Sequence, residues 1–133
     1  MFLSIFAKLF KKSTSDEASI LNTGLDMAME FGEDFRKPIQ QRLSKKYSSL
    51  SAEQLDHYNL VCTSAMESGF KFVDSILEPL AALNQTISEA NLKKQLFHHM
   101  KSNYPWINKD NLDRLYSQSC YFAFKNGWDQ GIQ

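Results

Sequence analysis

Residues 51–83 read SAEQLDHYNLVCTSAMESGFKFVDSILEPLAAL, and their spacing identifies a long helix. Leu55, Tyr58, Cys62, Ala65, Gly69, Phe72, Ile76, Leu80 and Leu83 recur at intervals of three and four, which puts them on one face of an α-helix. Met66 and Val73 widen that face. At the start, Ser51-Ala52-Glu53-Gln54 has the form of a capping box, in which the cap hydroxyl and the N3 side chain each satisfy a free amide. Glu78-Pro79 is expected to bend or end the helix, because proline lacks an N–H and crowds the preceding turn.

The flanking sequence carries the same period. Upstream, Thr14-Ser15-Asp16-Glu17 forms another box and leads into Leu21, Leu25, Ala28, Phe31, Phe35, Ile39, Leu43 and Tyr47. That spacing predicts one helix, with a kink or short break near Arg36–Lys37 imposed by Pro38. Downstream, Thr86-Ile87-Ser88-Glu89 predicts a third capped helix through Leu92, Leu96, Met100 and Tyr104, stopping before Pro105. A fourth starts at Asn108 and carries Leu112, Leu115, Tyr116, Ser119, Phe122 and Ala123 toward Trp128. No alternating run bounded by turn residues predicts a strand. The expected fold is all-α, with four main helices arranged as two antiparallel helical hairpins. The expected boundaries are an N-terminal segment over residues 1–13 and a single helical domain over 14–133, with halves at 14–80 and 81–133.

The two halves resemble each other. At an offset of 57, Ile39, Leu43, Tyr47, Leu50, Ser51 and Leu55 match Leu96, Met100, Tyr104, Ile107, Asn108 and Leu112. At an offset of 58, Cys62, Ala65 and Gly69 match Cys120, Ala123 and Gly127. Small residues at such spacing let a neighbouring backbone approach closely, so the second and fourth helices are expected to cross there. The one-residue shift rotates one half by about 100°. A π-bulge in a degenerate duplication and plain coincidence would each account for it.

Composition removes whole classes of function. The chain has 133 residues, 15 Lys+Arg against 15 Asp+Glu, 43% apolar residues, five Gly and three Pro. Its length and apolar content suit one core, while collagen-like and disordered chains have other compositions. Zero formal charge argues against a nucleic-acid partner. Two cysteines are too few for a disulfide scaffold or a structural zinc site, which points to a reducing cytoplasm. No stretch approaches the ~20 apolar residues of a membrane span.

Residues 1–12 stand apart. Phe2, Leu3, Ile5, Phe6, Leu9 and Phe10 are crowded together, with Lys8, Lys11 and Lys12 among and after them. No basic region precedes the apolar run and no small-x-small site follows it, so it does not read as a signal peptide. As a helix it would put Phe2, Phe6, Leu9 and Phe10 on one face. That face suits either an anionic membrane surface or docking onto the domain or a partner subunit.

Few residues promise chemistry. Acids fill residues 13–35 and bases fill 36–46, an order that complements the dipole of one long helix. Asp26, Glu30, Glu33 and Asp34 are spaced so that three would share a helix face, but no Glu-x-x-His accompanies them as in helical metal sites. Glu53 and His57 supply only two ligands, and adjacent His98 and His99 diverge by about 100°. Cys62 and Cys120 lie on apolar stripes away from any local cation, as buried thiols do. No nucleophile elbow, phosphate loop or dinucleotide fingerprint occurs, and no catalytic, cofactor or metal residue is assigned.

The last helix is apolar on two faces. Leu112, Leu115, Ser119 and Phe122 form one, while Tyr121, Phe124 and Trp128 form a second. A second apolar face is either central in the bundle or a surface for a partner. The leading expectation is a non-catalytic protein-interaction module, self-associating or bound to another protein through Tyr121, Phe124 and Trp128. A peripheral membrane adaptor using residues 1–12 is one alternative. A small helical metal protein or enzyme built on the 26–34 carboxylates and a histidine is the other.

Overall fold

The computed structural model of the chain describes residues 14–133, with side chains from Asp16 onward. Five α-helices occur among the described residues: α1 (Thr14–Ala28), α2 (Gln40–Lys46), α3 (Ala52–Ala82), α4 (Glu89–Asn103) and α5 (Lys109–Lys125), followed by a 3-10 turn at Asp129–Gly131. No strand occurs among these residues, and the one parallel bridge joins Ile87 to Ile132. The described residues form an all-helical fold, as their periodicity requires.

The helix over 51–83 is the hub. α3 is 31 residues long, about 46 Å, and touches α1, α2, α4, α5 and the 3-10 turn. Its capping box is complete: Gln54 N–H donates to Ser51 Oγ at 3.1 Å, and Ser51 N–H to Gln54 Oε1 at 2.8 Å. Its buried residues are Tyr58, Cys62, Ala65, Met66, Gly69, Phe70, Val73 and Leu77. The expected stripe leaves this row beyond Gly69, where Val73 and Leu77 replace Phe72 and Ile76. A strict seven-residue repeat drifts about 20° per heptad on a straight helix, and by Leu83 the expected stripe has turned out to solvent. Pro79 lies inside the helix, which ends within one turn of it. Asn84, at φ +54, closes the end: its N–H reaches Ala81 O at 3.2 Å and Gln85 N–H reaches Leu80 O at 2.8 Å.

The single helix expected over 14–47 is two. α1 stops at Ala28 and residues 29–39 are irregular, a longer break than Pro38 alone imposes. Gly32 and Arg36 adopt φ of +107° and +65°, which no α-helix accommodates. Arg42 gathers the freed carbonyls, donating to Met27 O at 2.9 Å, Lys37 O at 3.2 Å and Pro38 O at 3.5 Å. Asn59 Oδ1 on α3 accepts Ile39 N–H at 3.0 Å and fixes the segment's far end.

The remaining helix ends follow local chemistry. α4 is capped by Ser88, not Thr86, with Asn91 N–H donating to its hydroxyl at 3.2 Å. Ile87 is drawn into the bridge instead, its N–H donating to Gly131 O and its carbonyl accepting from Gln133 N–H, both at 2.8 Å. α5 is capped by Asn108, which accepts Asn111 N–H at 2.9 Å. Beyond Lys125 the chain turns in a Schellman motif, with Gly127 N–H to Phe124 O at 3.0 Å and Trp128 N–H to Ala123 O at 2.8 Å.

Gly127 is therefore not the helix-packing residue its alignment with Gly69 suggested. It is exposed, at φ +82°, and it ends α5. The other small residues do line packed faces: Cys62, Ala65, Gly69 and Ala123 are buried and Cys120 is half-buried. At Gly69 a side chain would meet Leu115 Cδ2 at 2.6 Å, so α3 and α5 meet there through a missing methyl group. The matched connections at the offset of 57 share local geometry. Tyr47 and Tyr104 each close a helix, Leu50 N–H donates to Tyr47 O at 3.2 Å, and Ile107 N–H donates to Tyr104 O at 3.1 Å.

A polar network absent from the expected core fixes α1 against α5. Asn22 Nδ2 donates to Ala18 O at 2.9 Å and Trp106 O at 2.8 Å, while Asn22 Oδ1 accepts Asn108 N–H at 2.9 Å and Asn111 Nδ2 at 3.0 Å. Further along, Gln118 Nε2 donates to Met29 O at 2.6 Å.

Candidate functional site

Ending α1 at Ala28 has a consequence for the aromatic residues that follow. Phe31 and Phe35 leave the stripe on which their spacing placed them and meet the last turns of α5. A chain of rings runs outward from buried Phe70: Phe70 to Phe122 at 4.9 Å, Phe122 to Phe35 at 5.6 Å, Phe35 to Phe31 at 5.0 Å, and Phe31 to Tyr121 at 5.7 Å between centroids. These separations suit attractive ring contacts. The Arg36 guanidinium stands 5.2, 5.7 and 5.5 Å from the rings of Phe35, Phe70 and Phe122, and it pairs with Glu67. The left-handed turn at Arg36 is thus held by a cation over three rings and an ion pair to α3.

The outer end of this chain is open. Phe31, Tyr121 and Phe124 are 49%, 47% and 61% exposed. Phe124 lies about 60° around α5 from Tyr121. Lys125 sets its ammonium 6.0 Å from the Tyr121 ring, and exposed Glu33 follows Phe31 by two residues. Of the three aromatics singled out in the sequence, Tyr121 and Phe124 face solvent. Trp128 closes the Schellman turn and is half-buried against the core. The contribution of Phe31, Phe35 and Arg36 was hidden by the helical spacing of 21–47. Gly32 and Pro38, six residues apart, are the local signal that points to a loop.

The acidic run does not gather. Asp26 alone of its four carboxylates lies on α1, and it pairs with Arg114; Glu30 pairs with Arg42 at 3.5 Å. Glu33 and Asp34 fall in the irregular segment, so the shared helix face expected for 26–34 does not form. For the same reason the acidic and basic blocks do not complement one helix dipole. No group of three or more His, Cys, Asp or Glu among the described residues has the placement to hold a metal ion.

Cys62 is buried, donates to Leu21 O at 3.3 Å, and is pushed up to about 12 by burial. Burial also raises the Cys120 thiol, partly opposed by its hydrogen bond with Tyr116. Both thiols stay protonated and poorly nucleophilic at neutral pH. Burial lowers the pKa of His57.

His98 is exposed, whereas His99 stacks on Phe72 at 4.3 Å and shares a 3.0 Å hydrogen bond with Ser68 Oγ. The pair borders an open hollow of about 600 Å³ that also touches Glu67, Lys71 and Ser75. A Ser–His pair needs free donors for a developing oxyanion. Ser68 is in the middle of α3, where backbone N–H groups are used by the helix. The Ser68–His99 hydrogen bond joins α3 to α4.

Phe2, Leu3, Phe6, Lys8, Leu9, Phe10, Lys11 and Lys12 lie outside the described residues. None of the described helices is long and apolar enough to cross a membrane. Comparison with protein-family models, with curated proteins and with solved structures finds no match to this chain.

Proposed function

We infer that the protein is a non-catalytic helical interaction module whose working face comprises Phe31, Tyr121 and Phe124. The observation that carries this reading is the joint exposure of Phe31 and Tyr121 at the end of a ring cluster rooted in the core, with exposed Phe124 one turn further along α5. Exposed aromatic rings on a rigid base are favoured anchors, because little side-chain freedom is lost when they dock. Two free cysteines fit a reducing cytoplasm as the setting. The similar connections at Tyr47 and Tyr104 support a finer architectural reading, two antiparallel hairpins related by a degenerate duplication.

A photo-reactive side chain placed at Phe124 in the full chain tests the face in native cells. A discrete protein adduct is expected from position 124 and not from exposed Leu83. Equal labelling at the two positions, or none at 124, would overturn the reading.

A further inference from the structure

Where α3 and α4 lie against each other, they border two open hollows of about 600 and 750 Å³. Phe72 and His99 line both, so the hollows meet at a common wall and make one groove. We propose that this groove binds a phosphorylated polyol, with Lys71 and Lys94 holding the phosphate and the hydroxyl and amide side chains around them holding the hydroxylated part.

The wall is fixed from both helices. His99 stacks on Phe72 with ring centroids 4.3 Å apart and planes 15° from parallel, and it shares a 3.0 Å hydrogen bond with Ser68 Oγ. Asn103 Nδ2 donates to the His99 carbonyl at 2.8 Å. Side chains held this way lose little further freedom when a ligand docks.

Charge selects an anion. Lys71 on α3 and Lys94 on α4 line the groove, are exposed, and make no ion pair among the described residues. Glu67 is the acidic side chain of this lining, and it is already committed to Arg36. Two lysines match a phosphate monoester, whose charge is about −2 at neutral pH, and lysine serves phosphate as a point charge.

The uncharged side chains select hydroxyl groups. Thr63 and Ser75 donate their own protons to Asn59 O at 2.7 Å and Phe72 O at 2.6 Å, which leaves their oxygens to accept. Asn103 likewise spends an amide proton on His99 and keeps Oδ1 as an acceptor. Acceptors beside cations suit a ligand that carries O–H donors and an anion together. A bare anion would use only the lysines, and a cationic ligand would meet like charge. Each hollow has the size of a small-molecule site, about 300–1,000 Å³. Both are open to solvent, so binding is weak, with a dissociation constant of roughly 0.1–1 mM.

Phosphorylated polyols occur free, as sugar phosphates, and as the headgroups of phosphoinositide lipids, and the test separates these sources. Amide NMR shifts of the full chain are followed as glucose phosphate, inositol phosphate, glucose or inorganic phosphate is added. Saturable shifts confined to residues 63–75 of α3 and 91–103 of α4 are expected with the two phosphorylated polyols. Their affinity should exceed that of glucose or phosphate alone by roughly fivefold or more. Lys71→Gln and Lys94→Gln should each weaken binding about tenfold, whereas Lys45→Gln, exposed on α2, should leave it unchanged. All three positions are exposed, so the variants should keep the native amide spectrum. Flotation with phosphatidylinositol phosphate vesicles, abolished by Lys71→Gln and Lys94→Gln, would assign the ligand to a lipid surface. Binding of glucose phosphate without such flotation would assign it to a free sugar phosphate. No saturable shift with any probe overturns the proposal, as do shifts that both substitutions leave unchanged. Inorganic phosphate binding as tightly as glucose phosphate overturns it too, because the hydroxyl-matching side chains would then contribute nothing.

Discussion

Gly69 shows how much can depend on an absent methyl group. Alanine there would gain up to about 1 kcal/mol of helix propensity. Its Cβ, however, would fall 2.6 to 2.9 Å from three atoms of Leu115, a fully buried side chain. Overpacking of this kind costs about 1–3 kcal/mol, so Gly69→Ala is expected to destabilise by roughly 1–2 kcal/mol in urea unfolding. Leu115→Ala in the same chain should make the loss less than additive, because the clash disappears with the isobutyl group. Asp74 carries a different kind of strain. One of its carboxylate oxygens is buried with no hydrogen bond among the described residues, and burial, then the charge of Glu78, raises its pKa. A raised folded pKa means that the native chain keeps this proton over a pH range where the unfolded chain has lost it. Stability from the group is greatest below the ordinary value of 3.8 and falls as pH rises through the folded value. Asp74→Asn should therefore melt above the wild type at pH 7, and the difference should close as the pH is lowered toward 3. A constant difference across that range would remove ionisation as its cause.

Helix identity was legible because core residues recur at intervals of three and four, and the firmest boundaries were those with local chemistry. Ser51 and Asn108 cap the helices they were expected to cap, and α4 stops before Pro105. The break after Ala28 was not legible in its extent. Phe31, Phe35 and Ile39 keep helical spacing through residues that are not helical, and a positive φ at Arg36 has no sequence mark of its own. The same ambiguity hid half of the aromatic face, since a ring on a helical stripe reads as core until the helix is known to end. Polar packing was hidden too. Asn22 and Asn111 sit among apolar neighbours, and only the fold brings residues 89 positions apart into hydrogen-bond range. Asn22→Ala would leave Trp106 O, Asn108 N–H and the Asn111 amide without this side chain. Stranded buried groups cost about 1–3 kcal/mol each when water cannot reach them, and this site is partly open. A loss of about 2–4 kcal/mol is expected in chemical denaturation. Asn22→Asp should also destabilise, because it keeps the acceptor for Asn108 but turns a carboxylate oxygen toward the Trp106 carbonyl. A neutral Asn22→Ala would mean that the network positions the helices without stabilising them.

At the scale of the molecule, α3 gives every other helix a surface, but the α3–α4 connection is secured from the far end of the chain. Ile87 and the segment 131–133 exchange two backbone hydrogen bonds of 2.8 Å, and Gly131 packs against Leu77 Cδ2 and the Leu77 carbonyl, both at 3.3 Å from where its Cβ would stand. The bridge closes the connection over the end of the core row, where Leu77 is its last buried member. Ending the chain at Trp128 removes both hydrogen bonds, each worth about 1 kcal/mol net, together with the half-buried Ile132 side chain. The total loss should be about 2–3 kcal/mol, and for a domain of this size the melting temperature should fall by roughly 10 °C. Hydrogen exchange distinguishes a local clasp from a general loss of stability. In the full chain the Ile87 amide should be strongly protected despite lying outside any helix. In the shortened chain it should exchange freely, while amides around Cys62, where α3 packs on α1, lose protection only by the change in global stability. If Ile87 stays protected without residues 129–133, the bridge does not secure the connection, and the packing of Leu77 and Ile87 against the core must hold it instead.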